Sequence, residues 1–223
     1  MKQQGGMRVW DLPTRVFHWT LVLLVAAQFA TGEFHWLSMQ WHYRFGYATL
    51  ALLVFRVAWG FAGSQTSRFA EFLRGPASLW RYGKSLVSGH PARSVGHNPL
   101  GGWSVVVILL LLLAQVASGL FASDGIDADG PFVDLVAGAT VKWMTRIHHL
   151  GENALIAWIV LHLLAVLLHW MLQHDDLVTP MLTGRRGGGQ DGTATPQFAS
   201  AARAALLFAL AAVVVIVLSR FGS

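Results

Sequence analysis

The sequence predicts an all-α integral membrane protein with a four-helix core and a fifth, C-terminal transmembrane helix. Three observations carry this. Of 223 residues, 54% are hydrophobic and only 12% are charged, whereas a soluble domain carries about a quarter charged residues. Mean hydropathy is +0.50. Five segments are each apolar enough, and long enough, to span a bilayer core of about 30 Å, which takes roughly 20 helical residues.

The first span runs from about Val16 to Gly32. It is not read as a cleaved signal peptide, because bulky Phe34, His35 and Trp36 follow where a cleavage site needs small residues. The second runs from about Phe45 to Gly63, interrupted only by Arg56. The third, about Gly101 to Ala122, contains the unbroken apolar run Val105 to Ala114. The fourth runs from about Ile147 to Met171, and the fifth from about Ala199 to Leu218.

The connectors differ in character. Residues 33–44 are aromatic (Phe34, Trp36, Trp41, Tyr43), as expected at a membrane interface. Residues 64–100 form a longer basic loop. Within it, Phe69 to Val87 suits an amphipathic helix on the membrane surface, with Phe72, Leu73, Trp80 and Leu86 among Arg74, Arg81 and Lys84. An ordinary solvated loop is the alternative. Residues 123–145 carry Asp124, Asp127, Asp129 and Asp134. Residues 184–198 read as a Gly-rich cytoplasmic linker, which divides the chain into a membrane domain over 1–183 and an additional helix over 199–223.

Orientation follows from the distribution of Lys and Arg. Ten of these cations fall on one face: Lys2, Arg8 and Arg15; Arg68, Arg74, Arg81, Lys84 and Arg93; Arg185 and Arg186. The opposite face has at most four: Arg44, Lys142, Arg146 and Arg220. The N-terminus is therefore expected in the cytoplasm. With no cysteine in the chain, disulfides, iron–sulfur clusters and covalent haem attachment are excluded.

Ionisable groups inside membrane helices are costly and point to function. No Asp or Glu sits mid-span, which argues against a proton-path transporter. Histidines do sit there. His148 and His162 are fourteen residues apart, so they share one helix face and are separated by about 21 Å along the axis. His149 lies about 140° from His162 and is read as interfacial. His42 and Arg56 repeat the fourteen-residue spacing in the second helix. His18 lies just inside the first. The levels then pair as His42 with His148 and His18 with His162. Two neutral imidazoles facing each other can hold a haem iron without a covalent link. Gly46 and Gly151, a turn beyond His42 and His148, suit close approach of a porphyrin, and Arg56 suits a haem propionate. Arg15, Arg44 and Arg146 are lesser candidates for that contact. His169 is the rival ligand at the cytoplasmic level. His35, His90, His97 and His174 fall in loops.

Several motifs together resemble the bacterial cytochrome b561 family, which includes the b-type cytochrome subunits of membrane-bound nickel–iron hydrogenases. They are Val9-Trp10-Asp11-Leu12-Pro13-Thr14-Arg15-Val16-Phe17-His18-Trp19; His42-Tyr43-Arg44-Phe45-Gly46 with Arg56; Gly96-His97-Asn98-Pro99-Leu100-Gly101-Gly102-Trp103; and His148-His149 with Leu161-His162. The resemblance covers roughly residues 8–186. It implies a four-helix di-haem core with His18, His42, His148 and His162 as metal ligands. It also implies electron relay between a periplasmic redox protein, such as a c-type cytochrome or a hydrogenase, and quinone. The fifth helix departs from the four-helix pattern.

The resulting expectation is a multi-pass cytochrome of the bacterial inner membrane with two haem b groups, in contact with lipid and quinone and with no nucleic-acid partner. An electron-transfer subunit is preferred over a self-contained oxidoreductase. A free-standing quinone-linked oxidase of a small external oxidant or radical is the alternative. His97, Asn98 and Arg15 are candidate quinone contacts, with loop structure as their simpler role. The acidic connector is a candidate docking surface for a basic partner, with simple solvation as the alternative.

Overall fold

The computed structural model describes residues 6–34, 36–89, 94–126, 128–187 and 195–221. Lys2, His35, His90, Arg93, Asp127 and residues 188–194 of the linker lie outside the described residues. In chain order the elements are β1 (Met7–Arg8), α1 (Leu12–Gly32), α2 (Met39–Ala62), α3 (Phe69–Phe72), α4 (Pro76–Val87), α5 (Pro99–Gly119), α6 (Gly138–Gln173), α7 (Val178–Thr183), β2 (Arg185–Arg186) and α8 (Ala201–Phe221). Helices α1, α2, α5, α6 and α8 are long and apolar enough to cross a membrane. The protein is therefore an all-α, multi-pass membrane protein.

Helix starts follow capping chemistry, which hydropathy does not sense. The buried Asp11 carboxylate accepts the Thr14 amide at 2.7 Å and starts α1 four residues ahead of the apolar run. Asn98 does the same for α5, accepting the Gly101 amide at 2.7 Å, with Pro99 at the first helical position. Helix α2 begins six residues before its expected start and α6 nine before. In both, a polar or aromatic first stretch is already helical. His42 therefore lies within the first turns of α2, and His148 and His149 lie about three turns into α6 instead of opening it.

The expected surface helix over 69–87 is two helices. Pro76 lacks an amide hydrogen, so it cannot continue α3 and instead begins α4. The expected linker also begins later than 184. Arg185 and Arg186 form β2, which pairs antiparallel with β1 (Met7 opposite Arg186, Arg8 opposite Arg185). Gly184 permits this join. Its φ of +81° is left-handed, and a Cβ there would come 2.9 Å from the Trp10 carbonyl oxygen.

The chain divides into two compact units, and the long helices contribute to both. One comprises Met1–Val16, Val57–Val106 and Val160–Ala204; the other comprises Phe17–Arg56, Val107–Ile159 and Ala205–Ser223. The first is held by a buried polar core. The second Asp11 oxygen accepts Trp59 Nε1 at 3.1 Å. The Thr14 and Ser67 hydroxyls meet at 2.6 Å, and Thr66 donates to the Val9 carbonyl at 2.8 Å. Arg186 donates to the Ser94 carbonyl at 2.6 Å and pairs with Asp175 at 3.2 Å. In this unit Leu163, Leu164, Leu167, Leu168 and Leu172 of α6 are exposed, an apolar surface suited to lipid.

The second unit is apolar at its centre, with Leu53, Phe55, Leu109, Leu112 and Leu155 buried. Phe55 of α2 meets Phe208 of α8 edge-on at 5.9 Å. Its acidic connector is folded back on itself. Asp124 accepts the amides of Ile126 (2.9 Å) and Ala128 (3.0 Å), and the Thr145 hydroxyl ties Ser123 to α6.

Candidate haem ligands and their supports

Within the second unit, His42 on α2 and His148 on α6 face one another. Their ring centres are 6.3 Å apart with planes at 81°. Nδ1 of His148 lies 2.9 Å from the Gln115 carbonyl oxygen on α5. A carbonyl only accepts, so Nδ1 carries the proton and Nε2 keeps its lone pair. Nδ1 of His42 lies 3.1 Å from the Thr31 hydroxyl on α1. Thr31 donates its own proton to the Ala27 carbonyl at 2.8 Å, and the Gln28 side-chain nitrogen lies 2.9 Å from the same Nδ1, with the Gln28 oxygen accepting from the Gly46 amide at 2.7 Å. The His148 imidazole is thus fixed in the tautomer that leaves Nε2 available to a metal. A hydrogen bond at Nδ1 also raises the basicity of the ligating nitrogen.

The spacing fits such a metal. Metal–imidazole bonds run about 2.0–2.1 Å, so rings at this separation are close enough for the two imidazoles to share one metal ion. Two glycines let the rings sit there. A Cβ at Gly119 would come 2.7 Å from Cε1 of His148, and one at Gly32 would come 3.2 Å from Cε1 of His42. These are not the glycines that sequence reasoning chose. The Cβ positions of Gly46 and Gly151 face the side chains of Gln28 and Gln115 instead.

The other predicted residues are placed as follows. His18 lies in the second unit on α1, half-buried and edge-on to Trp19 at 5.0 Å. His162 lies in the first unit, in the apolar second half of α6, with an exposed side chain. An imidazole projecting from an apolar span demands a partner. Arg56 is buried in the second unit, its guanidinium 6.0 Å from the centre of the Phe17 ring. His149 is exposed, and its ring is 6.4 Å from that of His148. Arg44 and Arg146 stack over Trp41 (4.8 Å) and Trp143 (5.9 Å), as interfacial cations do.

His169 is engaged by protein on both nitrogens. Nδ1 donates to the Ala165 carbonyl at 2.8 Å, and Nε2 receives Asn98 Nδ2 at 3.2 Å and the Tyr82 hydroxyl at 3.3 Å. Burial, reinforced by the Asp175 charge, raises the Tyr82 phenol above its ordinary pKa and keeps it a donor. This geometry gives His169 a structural role. The proposed quinone contacts are also engaged: His97 packs against Trp10 and Phe72, each at 4.7 Å, Asn98 caps α5, and Arg15 donates to the Leu182 carbonyl. His174 is a helix stop. Its φ of +51° ends α6, and the Asp175 amide returns to the His169 carbonyl at 3.2 Å.

Comparison with known proteins identifies the family. Residues 9–184 match the family model described as prokaryotic cytochrome b561. Two similar proteins, each named as a probable Ni/Fe-hydrogenase B-type cytochrome subunit, come from Rhizobium leguminosarum bv. viciae and Cupriavidus necator. The first is 23% identical over 82% of this chain and 90% of its own length. The second is 23% identical over 80% and 86%. A probable Ni/Fe-hydrogenase 1 B-type cytochrome subunit from Escherichia coli K12 is 22% identical over 80% and 89%. No solved structure matches the chain. The match spans most of the chain, over a range that includes all four candidate histidines: the chain belongs to the prokaryotic cytochrome b561 family.

Proposed function

We propose that the chain is a di-haem b-type cytochrome of the bacterial inner membrane, relaying electrons between a periplasmic redox protein and quinone. The observation that carries this is the His42–His148 pair, with both Nδ1 atoms hydrogen-bonded and the rings 6.3 Å apart. Bound haem supplies the one-electron chemistry. The chain would supply the imidazoles of His42 and His148 to hold it. Gln115 and Thr31 orient the rings. Arg56 places a buried cation suited to a propionate.

His18 and His162 are proposed as the second ligand pair. Their support is the fourteen-residue step from His148 to His162 on one continuous helix, together with the exposure of His162 in an apolar span. A hydrogenase or similar periplasmic protein is the proposed partner, by similarity to the relatives' names. The quinone end is proposed near the His18/His162 haem, without contacts from His97, Asn98 or Arg15. Purified protein should yield about two haems per chain by pyridine haemochrome, all extractable with acid-acetone. One haem per chain would remove the second pair, and none would remove the whole reading.

A further inference from the structure

We propose that α4 is an in-plane anchor that binds anionic phospholipid, with Trp80 and Val87 in the acyl region and Arg74, Arg81 and Lys84 at the headgroups. Helix α4 has two unlike sides. One packs inward through Tyr82, which is buried, and through half-buried Leu79 and Leu86. The other presents Trp80, 68% exposed, and Val87, 92% exposed. These are seven residues apart, so they share a face, and Gly83 between them leaves it low. Pro76, Leu79, Trp80, Gly83, Lys84 and Val87 line an open, almost wholly apolar groove.

Two contacts set the depth of this helix. Just before α4, the Arg74 carbonyl accepts Trp103 Nε1 at 2.9 Å, and Trp103 belongs to the opening of α5. Midway along α4, Tyr82 meets His169 near the end of α6. Helix α4 therefore lies across the ends of two membrane-length helices, at the level where a bilayer changes from headgroup to hydrocarbon. Trp80 and Trp103, both exposed, suit that level.

Charge names the occupant. Arg74, Arg81 and Lys84 are exposed, and among the described residues none is in an ion pair. Lys84 lies 5.1 Å over the Trp80 ring, its stem along the apolar stripe and its ammonium at the edge. Each such cation favours an anionic leaflet about fivefold. A stripe only one or two side chains wide suits an acyl chain, whereas a stable protein interface needs a far broader patch.

The test uses the haem-loaded protein in nanodiscs. The chain has no cysteine, so Val87→Cys takes a single spin label. The label should be relaxed by oxygen and shielded from a water-soluble nickel chelate. Spin-labelled phosphatidylglycerol should associate in preference to spin-labelled phosphatidylcholine. Arg81→Gln with Lys84→Gln should lower that preference markedly, on the order of tenfold or more at the α4 site. The haem spectrum should stay unchanged, which separates loss of the lipid site from misfolding or failure of the cytochrome reading. A label at 87 open to the chelate would overturn the proposal. So would equal phosphatidylglycerol preference before and after the double substitution, or a position 87 buried by a co-purifying protein.

Discussion

His148 and His149 are neighbours in sequence with different surroundings. His148 is half-buried and hydrogen-bonded to Gln115, while His149 is exposed. His148→Ala should therefore remove the haem shared with His42 and leave a low-spin haem on the other pair, whereas His149→Ala should leave both spectra nearly intact. The opposite result would invert the helical-face assignment. Gly119→Ala probes the same ring from the other side. The added methyl would meet Cε1 of His148 at 2.7 Å, so the ring must move. The expected outcome is loss or high-spin conversion of that haem alone, read by absorption and electron paramagnetic resonance. The sequence periodicity singled out His148 because faces on a helix follow from spacing. The supporting residues were not legible in this way. Gly32, Gly119, Thr31 and Gln115 matter through contacts with other helices, and no periodicity within one helix reports those. The structural role of His169 was hidden for the same reason, since Tyr82 and Asn98 are 87 and 71 residues away in sequence.

At the scale of elements, apolar runs revealed all five spans, because the bilayer demands about 20 such residues wherever a helix crosses. They did not reveal where the helices begin. Asp11 shows why. Its carboxylate caps α1 through Thr14 and also holds Trp59 Nε1, a residue that is fully buried. Asp11→Ala removes the cap, worth about 1 kcal/mol. It also leaves a buried indole N–H unsatisfied, costing a further 1–3 kcal/mol or so. Thermal unfolding in detergent, followed by circular dichroism, should show a loss of about 2–4 kcal/mol. Asp11→Asn keeps a single oxygen, which can serve the cap or the indole but not both, and should lose less than Asp11→Ala. Equal stability of Asp11→Ala and the parent would remove Asp11 as the organiser of this unit. Helix α6 carries the same lesson. Its opening residues include Lys142, Thr145 and Arg146, so hydropathy reads them as connector. The Thr145 hydroxyl nevertheless pins Ser123 to the helix and makes this polar stretch structural.

For the whole molecule, orientation rests on an uneven distribution of charge and not on any contact. Ten Lys and Arg residues fall in the N-terminal, second and fourth connecting segments against at most four on the other face. This bias predicts that the basic connector with α3 and α4 is cytoplasmic and the acidic connector before α6 is external. The start of α6 would then bring His148 to the external side. Fourteen further residues of the same helix carry His162 about 21 Å along its axis. Ligands at those two levels would make an electron path across the membrane, which two ligand pairs on one face would not provide. Absence of cysteine makes the test direct. In right-side-out vesicles, Ile126→Cys, at a position 89% exposed, should react with an impermeant maleimide, and Ser88→Cys should react only after lysis. In the same vesicles, stripped of native donors, an impermeant reductant should reduce first the haem that His42→Ala removes. If Ser88→Cys reacts from outside, the topology is inverted. If the topology holds but the His18/His162 haem is reduced first, the external entry point assigned to His42 and His148 is wrong, while the two haems themselves survive as a reading.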